Sequence, residues 1–216
     1  MIFAGGKGLR MGRISKVVPK PLLMIDDIPL IEINYKYFKQ YNINNIYISL
    51  NYKKEMIKSY FVEKNFNPEF IIEKRPLGTA GSLSLIKTEN IQKGIICLNC
   101  DSIFDIDINR LIKFHENNKF DFTVVTTIYE SHIPYGVLEI KNNKLKNLGE
   151  KPSIKNNINT GMYICNKNTL SVLKKSKFIN MNKFIEILLN RKMKVGVFQI
   201  KPNSFKDYGT LSKLNS

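Results

Sequence analysis

Three groups of residues have the types and spacing for phosphate chemistry. In the stretch IFAGGKGLRMG, Gly5, Gly6 and Gly8 directly follow a short apolar run. Glycines at such a point let the backbone turn sharply and present consecutive N–H groups to anionic oxygens. Lys7 and Arg10 add positive charge where phosphates would sit, Arg10 with a guanidinium fork. The pattern is neither the Walker loop, which needs Gly-Lys-Ser/Thr, nor the dinucleotide G-x-G-x-x-G, so alone it reads equally as a glycine-rich turn. In PKPLL, Pro19 and Pro21 flank Lys20 and restrict the backbone around one ammonium. In LNCD, Asp101 closes an apolar run. Ligands of open α/β sheets bind beyond such strand ends, and a carboxylate there suits Mg²⁺, although a lone Asp after a strand is commonly a cap or turn residue.

A fourth pattern, Cys97-Leu98-Asn99-Cys100, has CxxC spacing. Zinc would need two further ligands, and His115, His132 and Cys165 offer no paired spacing. The pair ends an apolar run instead of opening a helix, where thiolates are stabilised. It reads as reduced, buried thiols. His115 reads as a helix-face residue and His132 as a loop residue.

The elements that must position these groups alternate along the chain. Apolar runs predict strands at Met1–Ala4, Asn45–Leu50, Glu69–Glu73, Gly94–Asn99, Phe122–Tyr129, Tyr135–Ile140, Asn159–Cys165 and Lys194–Ile200. Helical spacing covers Leu30, Ile33, Tyr37, Phe38 and Tyr41, then Met56 to Phe61, then Ile108 to His115, with further helices near Lys167–Lys174 and Lys183–Arg191. Arg75–Lys87 reads as a loop entering a helix. Such alternation predicts an α/β sheet with crossover helices, and no repeat, low-complexity tract or linker divides it.

Composition narrows the partners. The chain has 216 residues, 43% of them hydrophobic, enough for a sizeable core. No run approaches the roughly 20 apolar residues of a membrane helix, and no charged-then-apolar leader opens the chain, so a cytoplasmic protein without a membrane partner is expected. A formal charge of +16 ordinarily suggests nucleic acid. Here 29 of the 34 basic residues are lysines, scattered without an arginine cluster, so no nucleic-acid partner is expected, and an anionic small substrate fits that charge just as well.

The motifs IFAGGKGLRMG, PKPLL, PLGTAG, LNCDSIFDID, GEKP, NTGMYI and KDYGTLSKL occur in the order found in sugar-1-phosphate nucleotidyltransferases, and the chain resembles that family over essentially its whole length. Within it, YISLNYKKEMIKSYF with IPYGV is most similar to guanylyltransferases acting on glucosamine 1-phosphate for nonulosonic acid synthesis. LNCDSIFDIDINRL resembles heptose-1-phosphate guanylyltransferases. The resemblance implies a single Rossmann-like, glycosyltransferase-A-like domain over residues 1–216, with a mixed, mostly parallel sheet flanked by helices. It implies Mg²⁺ as cofactor, an NTP (GTP favoured) and a sugar 1-phosphate as substrates, pyrophosphate as co-product, and a role in nucleotide-sugar synthesis for surface glycans. It leaves room for a homodimer.

Carried over by motif, Arg10, Lys20, Asp101 and Asp207 are the expected catalytic residues, with Asp101 and Asp207 as metal ligands. Ala4, Gly5, Gly6, Lys7, Gly8, Glu73, Gly78, Thr79 and Gly81 are expected at the nucleotide. A carboxylate at Glu73 can accept both N–H groups of guanine's Watson–Crick edge; the same Glu could instead pair with Lys74 or Arg75. Tyr135, Gly136, Glu150, Lys151, Asn159 and Thr160 are expected at the sugar phosphate. Two departures stand out: Cys100 replaces the family's glycine before the metal Asp, and the first strand is one or two residues short, as if cropped from a longer chain with upstream CBS domains. Two other readings stay open: a cytidylyltransferase acting on a non-sugar phosphate, and an inactive nucleotide-sensing relative.

Overall fold

The computed structural model describes residues 1–175 and 177–210. In chain order the strands are β1 (Ile2–Phe3), β2 (Met24–Ile25), β3 (Ile28–Pro29), β4 (Tyr47–Leu50), β5 (Glu69–Ile72), β6 (Gly94–Asn99) and β7 (Ser102–Phe104). They continue with β8 (Phe122–His132), β9 (Val137–Lys141), β10 (Lys144–Gly149), β11 (Ser153–Asn166), β12 (Val195–Ile200) and β13 (Phe205–Asp207). The α-helices are α1 (Leu30–Gln40), α2 (Lys54–Glu63), α3 (Gly78–Gly81), α4 (Ile108–Asn117), α5 (Lys167–Leu170) and α6 (Met181–Asn190).

Seven strands form the central sheet in the order β12-β8-β11-β6-β1-β4-β5. Only β11 runs against the rest: it is antiparallel to both β6 and β8, whereas the β1, β4, β5 and β6 pairings and the β8–β12 pairing are parallel. This is the mixed, mostly parallel sheet expected. Parallel strands covered on both faces read as continuous apolar runs, and every residue of YISL in β4 is buried. Alternate side chains divide between two cores. Ile2, Ile48 and Leu98 pack with α1, α2 and α4, whereas Phe3, Tyr47 and Cys97 pack with α6 on the other face.

The sequence reading misplaces several boundaries, each where long-range pairing overrides local pattern. The strand expected at Asn159–Cys165 begins at Ser153, because Ser153–Asn159 pair with His132–Thr126 of β8. The same pairing makes His132 a strand residue instead of a loop residue. Tyr135–Ile140 is a strand only from Val137, and its partner β10 has no clear alternation to announce it. Asn142 and Asn143, both at positive φ, close that hairpin, as asparagine tolerates in such turns. The helix expected to Lys174 stops at Leu170.

Candidate active site

The glycine loop leaves β1 at the carboxyl ends of the parallel strands. Its far side is anchored by Met11, fully buried against Leu23 and Leu30. The Lys53 ammonium donates to the carbonyls of Lys16 (2.6 Å) and Val17 (2.7 Å), and Tyr52 Oη donates to Ser15 O (3.1 Å). Gly8 has φ +63°, and a Cβ there would stand 3.0 Å from Lys20 Cβ. A side chain at this position would therefore strain the backbone and crowd the lysine.

Lys20 is buried and forms an ion pair with Asp101. Backbone bonds hold the segment carrying that carboxylate: Cys100 N–H donates to Phe3 O (3.2 Å) and Tyr208 N–H to Asp101 O (2.8 Å). The second expected carboxylate arrives on a separate strand. β13 pairs antiparallel with β7, which sets Asp207 opposite Ser102, one residue from Asp101. Gly209 N–H donates to Asp207 Oδ1 at 2.9 Å, and Arg10 reaches this corner, lining a cavity with both aspartates.

A carboxylate at Asp207 and another at Asp101, one residue from its ladder partner Ser102, suit Mg²⁺, which takes a few protein oxygens and leaves further positions to phosphate oxygens and water. Among the described residues no cluster of three or more His, Cys, Asp or Glu could hold a metal.

A cleft of about 620 Å³ joins these groups. Ala4, Gly5, Gly6, Lys7, Gly8, Arg10, Lys20, Glu73, Gly78, Thr79 and Asp101 all line it; Gly81 does not, and is buried beneath it. Glu73 is buried, and its Oε2 accepts the Leu77 N–H at 3.0 Å. Burial raises its carboxyl pKa, against the lowering effect of bonds from Leu77 N–H and the Ser49 side chain. The close approach of Glu73 requires Gly5, since a Cβ there would lie 2.7 Å from Glu73 Oε1.

An adjoining cavity of about 490 Å³ is lined by Asn159 and Thr160 together with Arg10, Thr79, Asp101 and Asp207. Asn99 and Asn180 line both cavities; Asn99 sits inside the LNCD motif, whereas Asn180 carries no local signal. The remaining expected sugar residues lie apart from these cavities. Tyr135, Gly136, Glu150 and Lys151 sit at the root of the β9–β10 hairpin, with Tyr135 73% exposed and the Glu150–Lys151 pair on the surface at 3.8 Å.

The cysteines are free and buried. Burial pushes the Cys100 thiol up to about 12, and Cys97 lies 3.9 Å from Cys165 on the neighbouring strand. His115 is buried between Thr123 Oγ1 (2.7 Å) and Asn166 Oδ1 (3.0 Å), a satisfied core residue. No helix among the described residues is long and apolar enough to cross a membrane.

The family model described as Nucleotidyl transferase matches residues 1–216. D-glycero-alpha-D-manno-heptose 1-phosphate guanylyltransferase of Aneurinibacillus thermoaerophilus is 28% identical over 170 residues, 77% of this chain and 74% of that protein. Mannose-1-phosphate guanyltransferase of Yarrowia lipolytica is 31% identical over 189 residues, 80% of this chain but 50% of the relative. The chain thus spans about half the length of the mannose-1-phosphate relative. The crystal structure of HddC from Yersinia pseudotuberculosis superposes with a TM-score of 0.76 at 24% identity, covering 99% of this chain and 95% of that one.

Proposed function

The chain belongs to the nucleotidyl transferase family, and from that premise we propose that it transfers a guanylyl group from GTP to a sugar 1-phosphate and releases pyrophosphate. The observation that carries this reading is the convergence of the glycine loop and the buried Lys20–Asp101 pair on one cleft, with Asp207 joining Arg10 and Asp101 in the adjoining cavity. The names of two relatives, which act on heptose 1-phosphate and mannose 1-phosphate with a guanylyl donor, support the donor and the acceptor class. Glucosamine 1-phosphate belongs among the acceptors to be tried, on the resemblance of YISLNYKKEMIKSYF and IPYGV.

In this reading a phosphate oxygen of the sugar phosphate attacks the α-phosphorus of GTP. The bond to the bridging oxygen of the β-phosphate breaks, and pyrophosphate departs. No covalent protein intermediate is needed, so the chain works by positioning and charge neutralisation. The N–H groups of Gly5 to Gly8 cradle the triphosphate, Arg10 and Lys20 neutralise charge at the α-phosphate and leaving group, and Glu73 reads the guanine edge. Asn159 and Thr160 orient the acceptor, and Tyr135, Gly136, Glu150 and Lys151 meet its sugar end. Asp101 and Asp207 would hold Mg²⁺, which supplies further neutralisation of the phosphates.

The deciding experiment is a matrix of the four NTPs against glucosamine, heptose and mannose 1-phosphates with Mg²⁺, read by pyrophosphate release. Turnover with GTP and one of these acceptors is expected. A preference for CTP with a non-sugar phosphate, or silence across the matrix, refutes the proposal.

A further inference from the structure

Asn34 lies on α1, outside every motif of the sequence, and is 1% exposed. Its Nδ2 group donates to two carbonyls at once, Leu30 O at 3.2 Å and Cys100 O at 3.0 Å. Its Oδ1 is buried and without a hydrogen-bond partner. A buried orphan acceptor is costly, and an apolar residue of the same size would avoid that cost. The two carbonyls that the amide joins explain what such a residue does here.

Each carbonyl belongs to a segment that carries one member of the buried ion pair. Leu30 N–H donates to Leu23 O (2.9 Å), and Leu23 N–H donates to Lys20 O (3.0 Å). The first turn of α1 is thus tied in two steps to the lysine. Cys100 immediately precedes Asp101, so the second carbonyl belongs to the peptide bond that leads into the carboxylate residue. The Asn34 amide is therefore a cross-brace between the Lys20 segment and the Asp101 segment, which are 81 positions apart in sequence.

We infer that Asn34 is a positioning residue: it sets the separation and orientation of Lys20 and Asp101, and through them the reactive geometry at the α-phosphate. The inference rests on the guanylyltransferase reading above. It also accounts for the orphan Oδ1, because both amide protons are committed to the brace and the oxygen is left pointing away from any donor. Residues that orient ligating side chains typically cost about 10- to 100-fold in metal affinity or activity when removed.

Two variants test this. Asn34→Leu keeps the branched outline of the side chain with somewhat greater bulk and removes the brace and the orphan acceptor together. Asn34→Ser retains a hydroxyl that can donate to Leu30 O four residues earlier but cannot span to Cys100 O. Mn²⁺ is titrated by electron paramagnetic resonance into the full chain with a non-hydrolysable GTP analogue, alongside steady-state kinetics and thermal melting. Both variants are expected to bind Mn²⁺ about 10- to 100-fold more weakly and to lose kcat by a similar factor. KM for GTP should stay within about threefold, and both variants should still melt cooperatively, at a Tm lowered by the donor lost to the buried Cys100 O. A folded variant of either type with Mn²⁺ affinity and kcat within about twofold of the parent overturns the inference. Failure of the parent chain itself to bind the Mn²⁺ complex and to release pyrophosphate refutes the guanylyltransferase reading instead, so the two failures are distinguishable.

Discussion

Replacing Glu73 by Gln should separate nucleotide choice from stability. In the parent, Oε2 accepts the Leu77 N–H and Oε1 faces the cleft beside Gly5. A carboxylate oxygen has about two acceptor sites, so both oxygens remain able to receive the two N–H groups of guanine. In Glu73→Gln the amide oxygen keeps Leu77, and the NH₂ group then meets guanine donor to donor. The loss is at least one charge-assisted bond, about 1.5–3 kcal/mol, with a smaller cost from the opposed donors. A total of about 2–4 kcal/mol predicts a fall of roughly 30- to 700-fold in kcat/KM for GTP, with UTP much less affected. Stability should move the other way. Burial raises the folded-state pKa of Glu73 above that of the unfolded chain, so its stabilising contribution is present at low pH and is lost as pH rises through the folded pKa. The neutral amide removes that loss, and Glu73→Gln should melt at or above the parent at pH 7. Competition kinetics with GTP and UTP, together with calorimetric melting, provide the assay. An acid limb in the GTP profile, lying above the ordinary Glu range and absent from the variant, completes the pattern. A variant within threefold of the parent on GTP, or one losing all nucleotides equally, refutes the role of Glu73 at the base.

Two further outcomes follow from the same geometry. Asp101→Asn should keep the fold, because Asn Oδ1 still accepts from Lys20, yet reduce pyrophosphate release by about a thousandfold or more, the scale of losing a main electrostatic contributor; circular dichroism and turnover measured together check it. A thiol reagent at pH 8 should modify none of Cys97, Cys100 and Cys165 in the native chain and all three in denaturant, since each is buried and Cys100 is held near 12; rapid native modification would contradict the packing.

The fold was legible wherever one residue type had to serve a buried parallel strand. YISL, GIICLN and VGVFQI are short apolar runs between helical patterns, and all three sit where their periodicity puts them. The pieces that local pattern does not reveal are β2, β3, β7, β10 and β13, each of two to six residues and each defined by its partner. β13 matters most, because Asp207 reaches Asp101 only through the β7 pairing, a contact that no window of sequence contains. The Leu211–Leu214 part of the KDYGTLSKL motif lies outside the described residues.

The site divides along a similar line. Residues proposed to touch phosphate must be of a particular chemical type on a particular backbone shape, so the glycines, Lys20 and Asp101 leave a mark in the sequence that can be read without coordinates. Residues that set their spacing are constrained only by what they span. Asn34 reads as a polar interruption of an amphipathic helix, one position from Ile33, and even the face it occupies suggests a tolerated mismatch. Its burial and its two carbonyl partners, one 66 positions away at Cys100 and one four positions away at Leu30, are what give it meaning. Cys100 belongs to the same layer. The thiol is buried and its backbone N–H and C=O are both committed, to Phe3 and Asn34, so the side chain is accommodated by packing while the peptide that carries Asp101 is held from both sides. The physical consequence is that substitutions at Cys100 should act through the orientation of Asp101 more than through thiol chemistry, with Cys100→Gly gaining backbone freedom and Cys100→Ser keeping the parent's geometry.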